Sequence, residues 1–231
     1  MKNIGEIKAV IFDVDDTLVN SNKAEFNAIC KFKDSYNEFN QSEYDEFAKL
    51  WKKITRDVYE KYLQHQISFE QLRIERMKTL FNDYHVNISD KEAIEIYNIY
   101  QNEYEKNWKL FDDAKEILEN FKNKYKLAII TNGDSNQQRK KIKYTGLNDY
   151  FSDIFISSEV GYSKPEKEIF EIACKKINLN PENCIMIGDK YNVDVEGSLN
   201  VGMHGIWVNR NREDITYKFQ VEELSELNHY L

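Results

Sequence analysis

Hydrophobic and polar positions follow different periods in different parts of the chain. A short apolar run at residues 9–12 is typical of a buried strand. Apolar residues then recur at helical spacing as far as about Trp108. From Lys109 onward, short apolar runs alternate with helical segments. The pattern therefore predicts a first strand, a long helical insertion and an alternating α/β region.

Four helices are predicted within the insertion. Capping-box patterns open two of them, at Ser68 with Gln71 and at Ser89 with Glu92. The apolar stripes are rich in aromatic residues, which could form either a stacking surface for a base or sugar ring or the core of a helical bundle. Their helical period favours the bundle core.

The α/β region carries four further apolar runs that are predicted to be strands: residues 126–130, 153–157, 184–187 and 204–208. The helices between them are predicted at residues 113–124, at 137–144, from Pro165 onward and at 193–200. Short apolar strands separated by helices indicate a parallel sheet buried on both faces. With the first strand included, we expect a doubly wound, Rossmann-like α/β core with a five-stranded parallel sheet, formed by residues 1–18 and 109–231. Residues 19–108 form the inserted four-helix domain.

Two aspartates interrupt the hydrophobic pattern directly after the first strand. Asp is a poor strand residue and is costly to bury, so Asp13 and Asp15 indicate a bound cation or a catalytic role. Side chains alternate along an extended segment, which lets these two carboxylates face one reacting centre while Asp16 faces away. Asp13 is a candidate nucleophile or metal ligand, Asp15 a candidate acid and base, and Thr17 a candidate for a local hydrogen bond that holds the turn. Taken alone, the segment is also compatible with turn-forming and helix-capping aspartates.

Polar residues also follow the other predicted strands. The second strand runs into Thr131 and Asn132, the fourth into Asp189, and Lys164 follows the third. Each of these has an ordinary explanation as a turn or a helix start. Ligands of open parallel sheets, however, bind at the carboxyl ends of the strands, so these polar residues together predict a site there. Asp194, five residues beyond Asp189, is expected to orient Lys164 or a metal-bound water.

The residue types at this edge suit phosphoryl transfer. Asp13 and Asp189 can supply oxygen ligands to Mg²⁺, a hard cation. Thr131, with backbone N–H groups near Asn132, can bind phosphoryl oxygens. Lys164 can neutralise charge on the nucleophile and on the phosphoryl group, which is the main requirement of this chemistry.

Composition limits the classes of partner. The formal net charge of −8 argues against binding to a nucleic-acid polymer but is compatible with a small anionic substrate. Cys30, Cys174 and Cys184 lack zinc-site or redox spacing and are expected to be buried thiols in a reducing compartment. The four histidines, His65 among them, are expected to be structural or superficial. The N-terminal residues carry no secretory signal and no apolar run is long enough to span a membrane, so we expect a cytoplasmic protein, as a monomer or homodimer.

Together, these residues resemble the four motifs of the haloacid dehalogenase-like (HAD) hydrolase superfamily: Asp13-x-Asp15-x-Thr17, Thr131 with Asn132, Lys164-Pro165, and Gly188-Asp189 with Asp194. The resemblance covers residues 1–18 and about 109–211. The insertion, at residues 19–108, is similar in position and type to the C1 cap domain of that superfamily.

The resemblance implies a mechanism by position. Asp13 would form an aspartyl-phosphate, and Asp15 would protonate the leaving alcohol and then activate water. Mg²⁺ would be bound by Asp13, Asp189 and the backbone carbonyl of Asp15, while Thr131 and Lys164 would hold the phosphoryl group. Asp15 also favours phosphoryl chemistry over dehalogenation, since 2-haloacid dehalogenases lack this second aspartate.

Residues 130–134 and 157–165 are similar to pyrimidine 5′-nucleotidases and to N-acylneuraminate-9-phosphatases. The expected substrate is a small phosphorylated metabolite, with a mononucleotide as the first candidate. The alternatives are a sugar-phosphate phosphatase, including the N-acylneuraminate-9-phosphatase type, a β-phosphoglucomutase-like mutase and, outside enzymes, an inactive HAD-fold binding module. Lys190 and Tyr191 follow Asp189 where many relatives carry a small Thr or Ser, which leaves the substrate open.

Overall fold

The structure is a computed structural model that describes residues 6–64 and 66–231. The N-terminal residues 1–5, which bear on the secretory-signal expectation, and His65 lie outside the described residues. The chain divides into two compact units, one of Met1–Ser21 with Lys109–Leu231 and one of Asn22–Trp108.

Among the residues that the structure describes in the first unit, six parallel strands form one sheet: β1 (Ala9–Phe12), β2 (Lys126–Thr131), β3 (Asp153–Ile156), β4 (Cys184–Gly188), β5 (His204–Val208) and β6 (Gln220–Val221). The strand order is β3-β2-β1-β4-β5-β6. The chain builds outward from β1 to β3 and then crosses back to place β4 on the other side of β1. The order therefore reverses between β1 and β4, which is where a doubly wound sheet opens a ligand crevice.

The parallel Rossmann-like sheet is confirmed, but the predicted number of five strands is wrong. The sixth strand, β6, has two residues, and it pairs with β5 through Trp207 and Gln220 and through Val208 and Val221. Two residues are too few to display an alternating or continuous apolar pattern. This strand is therefore specified by its pairing with β5 and not by its own sequence.

In its described residues, the second unit contains four α-helices: α1 (Ser21–Lys33, whose first residue belongs to the first unit), α2 (Tyr44–Leu63), α3 (Phe69–Asp83) and α4 (Asp90–Lys106). Both predicted capping boxes are confirmed, at Ser68 for α3 and at Ser89 for α4. Aromatic residues of the helical stripes, such as Trp51 and Tyr97, are buried in the core of this unit. Packing rather than stacking on a ligand therefore accounts for these buried rings.

The α-helices that connect the strands of the first unit are α5 (Ala114–Phe121), α6 (Ser135–Tyr144), α7 (Ser157–Val160), α8 (Lys167–Ile177) and α9 (Glu196–Leu199). The apolar face of α8 packs on one side of the sheet, against alternate residues such as Ile11, Ala128 and Met186. The residues between these, including Val10 and Ile129, are also fully buried. Both faces of the sheet are thus covered, as its continuous apolar strands predict.

Several predicted elements differ in detail: for example, the helix predicted at 113–124 is α5 (Ala114–Phe121), and the helix predicted at 137–144 begins earlier, at Ser135. Ser157 begins α7 instead of ending a strand, and the helix predicted at residues 193–200 is a π-helical turn (Tyr191–Val195) followed by α9. Cys174 and Cys184 are buried free thiols, whereas the free thiol of Cys30 is half-buried. Among the described residues, every helix lacks the length or the apolar character needed to cross a bilayer.

Candidate active site

The carboxyl ends of β1, β2 and β4 bring the predicted site residues together in the first unit. Asp13 directly follows β1, Thr131 is the last residue of β2, and Asp189 follows the last residue of β4. The Asp13 N–H donates to the carbonyl of Ile187 at 2.9 Å, which continues the pairing of β1 with β4 past the end of β1. The site therefore lies where the strand order reverses.

A buried lysine joins two of the aspartates. Lys164 Nζ lies 2.5 Å from Asp13 Oδ1 and 2.7 Å from Asp194 Oδ1. Burial alone would lower the pKa of Lys164, but the two carboxylates raise it, so the ammonium stays charged. Asn132 fixes the segment that carries this lysine, since its amide donates to the Lys164 carbonyl and accepts from the Lys164 N–H, both at 2.8 Å. The Asn132 side chain is thus engaged with the protein backbone.

Three carboxylates converge beside this lysine. Oxygen atoms of Asp13, Asp189 and Asp194 all lie within 4.8 Å of one another. Burial raises the pKa of Asp13 to about 6 against the opposing charge of Lys164. Burial and the charges of Asp13 and Asp194 likewise raise the pKa of Asp189 well above its usual range. With three acids facing one ammonium, the cluster holds an excess of negative charge that a divalent cation would relieve.

Within the part of the chain that the structure describes, the buried polar atoms that make no hydrogen bond include Asp189 Oδ1 and Thr131 Oγ1 at the site. Buried polar atoms are normally hydrogen-bonded, so an orphaned atom needs a ligand to satisfy it. A carboxylate oxygen among other carboxylates suits Mg²⁺, and a threonine hydroxyl suits a phosphoryl oxygen. The donor set therefore fits a magnesium ion and a phosphate group.

The position of Asp194 depends on the glycine that ends β4. A Cβ atom added at Gly188 would lie 2.3 Å from Asp194 Cγ, closer than any real contact. The π-helical turn at Tyr191–Val195 carries Asp194 back over this glycine, where its Oδ2 accepts from the Lys190 N–H at 3.0 Å. Gly188 therefore provides the space for the buried Asp194 carboxylate.

Asp15 lies outside the acidic cluster and has its own set of partners. The Ser21 hydroxyl and the Lys141 ammonium both bond Asp15 Oδ1, and Gln138 Nε2 donates to Oδ2 at 2.7 Å. Burial alone would raise the pKa of Asp15, but the charge of Lys141 and these hydrogen bonds lower it to about 2. Asp15 is consequently an ionised carboxylate in this arrangement.

The turn after β1 is held by its backbone. The N–H groups of Leu18 and Val19 donate to the Val14 carbonyl at 3.0 and 2.9 Å. Thr17 Oγ1 is buried and, within residues 6–64 and 66–231, makes no hydrogen bond, so the local bond suggested by the sequence is absent there. Asp16 adopts a left-handed conformation with φ of 61° and donates its N–H to Val19.

Residues that the sequence reasoning missed also support the site. Lys141 and Gln138, on α6, hold Asp15, and the Trp207 indole donates to the Asp189 carbonyl at 2.8 Å. The ring of Tyr191 packs edge-on against Trp207, at 5.5 Å between centroids. The sequence of α6 is strongly polar, so its pattern does not mark Lys141 and Gln138 as buried partners of Asp15.

The sheet order and the acidic edge define a doubly wound α/β protein with a site at the carboxyl ends of its strands. The chain belongs to the haloacid dehalogenase-like hydrolase family, which matches residues 7–202. With relatives that are named phosphatases and nucleotidases, it is a phosphatase enzyme of this family.

Several known proteins are similar to it. HAD-hydrolase YfnB of Bacillus subtilis is 27% identical over 229 residues, covering 97% of this chain and 95% of that protein. The structure of YfnB bound to magnesium matches with a TM-score of 0.84 at 25% identity, covering 97% and 98% of the two chains. Human N-acylneuraminate-9-phosphatase is 25% identical over 90% of this chain and 85% of its own length. Pyrimidine 5′-nucleotidase YjjG of Escherichia coli is 36% identical over a shorter span, 51% of this chain and 55% of its own.

Proposed function

We propose that this phosphatase is a Mg²⁺-dependent phosphomonoester hydrolase that works through an aspartyl-phosphate on Asp13. The observation that carries the proposal is the 2.5 Å contact between Lys164 Nζ and Asp13 Oδ1, beside the orphaned Asp189 and Thr131 oxygens. The proposed nucleophile Asp13, phosphate ligand Thr131 and metal ligand Asp189 would thereby share one sheet edge.

Asp13, Asp189 and the backbone carbonyl of Asp15 are the groups proposed to hold Mg²⁺. The clustered carboxylates support this assignment for Asp13 and Asp189, and so does the magnesium bound to the similar protein YfnB. When bound, the ion offsets the negative charge of the carboxylates and of the transferring phosphoryl group. Asp194 is proposed to hold Lys164, consistent with their 2.7 Å contact.

In the first step, an Asp13 oxygen attacks phosphorus and the bond from phosphorus to the ester oxygen breaks. Thr131 and Lys164 hold the phosphoryl oxygens in line for this attack. Asp15 gives its proton to the leaving oxygen. Because Asp15 is ionised before substrate binds, we infer that a phosphomonoester monoanion, with a second pKa of about 6, brings this proton into the site.

In the second step, Asp15 takes a proton from a water molecule, and the water oxygen attacks phosphorus. The bond from phosphorus to Asp13 breaks, inorganic phosphate forms and the Asp13 carboxylate is restored. Asp15 again carries a proton at the end of the cycle, which leaves with the phosphate. The same carboxylate therefore serves as acid and as base.

We also propose that residues 19–108 act as a C1-type cap on a core of residues 1–18 and 109–231. The compact helical unit Asn22–Trp108 supports this division, and interdomain movement is described for YfnB. Such a cap would exclude water during phosphoryl transfer and select the substrate.

The proposed substrate is a small phosphorylated metabolite of cytoplasmic metabolism. A 5′-mononucleotide remains the first candidate because YjjG shares 36% identity over the span that it matches. An N-acylneuraminate 9-phosphate, or another sugar phosphate, is the second, favoured by the alignment over 85% of the human phosphatase. A panel of phosphorylated metabolites scored by released phosphate tests these candidates, and a β-phosphoglucomutase-like mutase would release little phosphate.

Hydrolysis of p-nitrophenyl phosphate by the purified protein tests the reaction itself. We expect turnover with Mg²⁺, none with EDTA, and a loss of at least about 10³-fold in Asp13→Asn, which removes the nucleophile. Asp16→Asn is the matched control, because Asp16 lies in the turn with its backbone bonded to Val19, and this variant should keep most of its activity. Full activity of Asp13→Asn would overturn the nucleophile assignment, and activity that survives chelation would overturn the metal assignment.

A further inference from the structure

Helix α6 carries a charged side chain that is almost completely buried. Only 2% of the Lys141 side chain is exposed, and its ammonium forms an ion pair with Asp15 Oδ1. One turn earlier, the buried Gln138 donates to Asp15 Oδ2 at 2.7 Å. An ammonium is costly to bury, so a lysine at this position requires a compensating partner, which Asp15 provides.

The two α6 side chains are themselves held in place. Gln138 packs on Gly133, where an added Cβ would lie 3.0 Å from Gln138 Nε2, and the same amide lies 3.3 Å from the Asn132 carbonyl. The start of α6 is capped by Asp134, whose Oδ1 accepts from the Gln137 N–H at 3.0 Å. These contacts fix α6 to the loop that follows β2, and so they fix the two donors relative to the site.

Both oxygens of Asp15 thus receive donors from one helix. The Lys141 ammonium at Oδ1 and the Gln138 amide at Oδ2 hold both oxygens of the carboxylate from α6, and the Ser21 hydroxyl is a second donor at Oδ1. A group that exchanges a proton must lie within hydrogen-bond reach of the reacting oxygen, and small misplacements are costly in rate. None of the four motifs includes Lys141 or Gln138.

We propose that Lys141 is a positioning residue that, with Gln138, holds the Asp15 carboxylate in the orientation in which it protonates the leaving group. The inference rests on the proposed function, in which Asp15 is the acid and base. Lys141 acts only through Asp15, so its effect is confined to the steps in which Asp15 moves a proton.

Leaving groups of different basicity separate this role from a general structural one. p-Nitrophenolate leaves as a stabilised anion, whereas an alkoxide must be protonated as its bond to phosphorus breaks. The rate of the first step, measured as substrate consumed in a single turnover by rapid quench, isolates this event from the hydrolysis of the phosphoenzyme. The two substrates are p-nitrophenyl phosphate and 2-phenylethyl phosphate.

We expect Lys141→Met to slow the first step at least tenfold with 2-phenylethyl phosphate and by less than about threefold with p-nitrophenyl phosphate. Gln138→Leu should slow the first step less, but again more with 2-phenylethyl phosphate than with p-nitrophenyl phosphate. It leaves no unpaired charge that could prevent folding. Lys143→Met, an exposed lysine on the same helix, is the matched control and should behave as the wild type with both esters. Thermal melting of each variant checks that it is folded.

A double-mutant cycle gives the decisive comparison. If Lys141 acts through Asp15, then Asp15→Asn/Lys141→Met consumes 2-phenylethyl phosphate at the same rate as Asp15→Asn alone. A rate for the double variant below that of Asp15→Asn alone would overturn the proposal. Equal decreases in rate with the two esters in Lys141→Met and Gln138→Leu would also overturn it. So would wild-type rates in both of these single variants. Failure of the proposed function has a different signature, namely activity in Asp13→Asn or an Asp15→Asn variant that treats both esters as the wild type does.

Discussion

Two aspartates only two positions apart are placed in opposite electrostatic surroundings. Burial among other acids raises the pKa of Asp13 to about 6, whereas burial is outweighed at Asp15 by Lys141 and its hydrogen bonds, which lower the pKa to about 2. Environments that separate the pKa values of neighbouring acids are typical of sites that divide chemical roles between them. The division suits a nucleophile that shares the metal with other acids, and a separate acid and base.

The raised pKa of Asp13 predicts that stabilisation by Mg²⁺ depends on pH. A metal ligand must be ionised, and the folded Asp13 takes up its proton as the pH falls through about 6. The increase in Tm caused by Mg²⁺ should therefore be large at pH 8 and should shrink towards zero below pH 6, as calorimetry would measure. In the metal-free protein, the free energy of unfolding should instead decrease as the pH rises through about 6, because ionising this buried acid costs stability.

Asp13→Asn serves as the control for this titration, because an amide does not ionise. The increase in Tm that Mg²⁺ causes in this variant should be small at both pH values. If the Mg²⁺-induced increase in Tm of the wild type stays constant from pH 5 to pH 8, the assignment of Asp13 as a ligand is contradicted.

Gly188→Ala is predicted to damage both stability and activity. The new methyl group would overlap the Asp194 carboxylate, which lies 2.3 Å from the Cβ position and holds Lys164. We expect a loss of about 1–3 kcal/mol in the free energy of unfolding, as for other overpacked sites, and a fall in kcat of at least tenfold. Urea unfolding and steady-state kinetics measure the two effects, and wild-type values in both would show that Asp194 has room to move.

The sequence identifies the residues that end strands better than those that reach in from a helix. Asp13, Thr131 and Asp189 interrupt apolar runs, so the strand pattern itself marks them. Lys141 and Gln138 lie in a very polar helix, where a lysine is ordinarily solvated. Their burial depends on how α6 packs at the end of β2, and this is tertiary information that local pattern does not contain.

Local sequence signals predict the boundaries of helices well where side chains cap the helix ends. The capping boxes at Ser68 and Ser89 predict the starts of α3 and α4 to the residue, as the structure confirms. The π-helical turn after β4 has no such signal, because its extra residue serves to bring Asp194 over Gly188. Likewise, β6 owes its extended form to pairing with β5.

The capping box of α4 gives a prediction for the stability of the protein. Ser89 accepts from the Glu92 N–H, and Glu92 accepts from the Ser89 N–H at 2.8 Å. Ser89→Ala removes the first of these bonds and should lower the free energy of unfolding by about 1 kcal/mol without changing kcat on p-nitrophenyl phosphate. Urea denaturation measures the change, and a stability equal to that of the wild type would show that the box contributes nothing to this helix.

For the whole molecule, the sequence predicts the type of fold and the edge of the sheet that carries the site. Alternating strands and helices require a parallel sheet, and ligands of such sheets bind at the carboxyl ends. The strand order that places β1 between β2 and β4 comes from the structure, since the pairing of strands is a property of the folded chain. It is this order that brings Asp13, Thr131 and Asp189 to one place.

If the phosphoryl group passes through a covalent bond to Asp13, as proposed, the phosphoenzyme can be trapped and its site identified. Asp15→Asn removes the base that the second step needs, while p-nitrophenyl phosphate needs no acid in the first. Rapid quench of this variant with Mg²⁺, followed by mass spectrometry of its peptides, should find close to one phosphoryl group per chain, attached to Asp13. A phosphoryl group on another residue, or steady release of phosphate by this variant with no phosphoenzyme, would show that Asp13 is not the nucleophile.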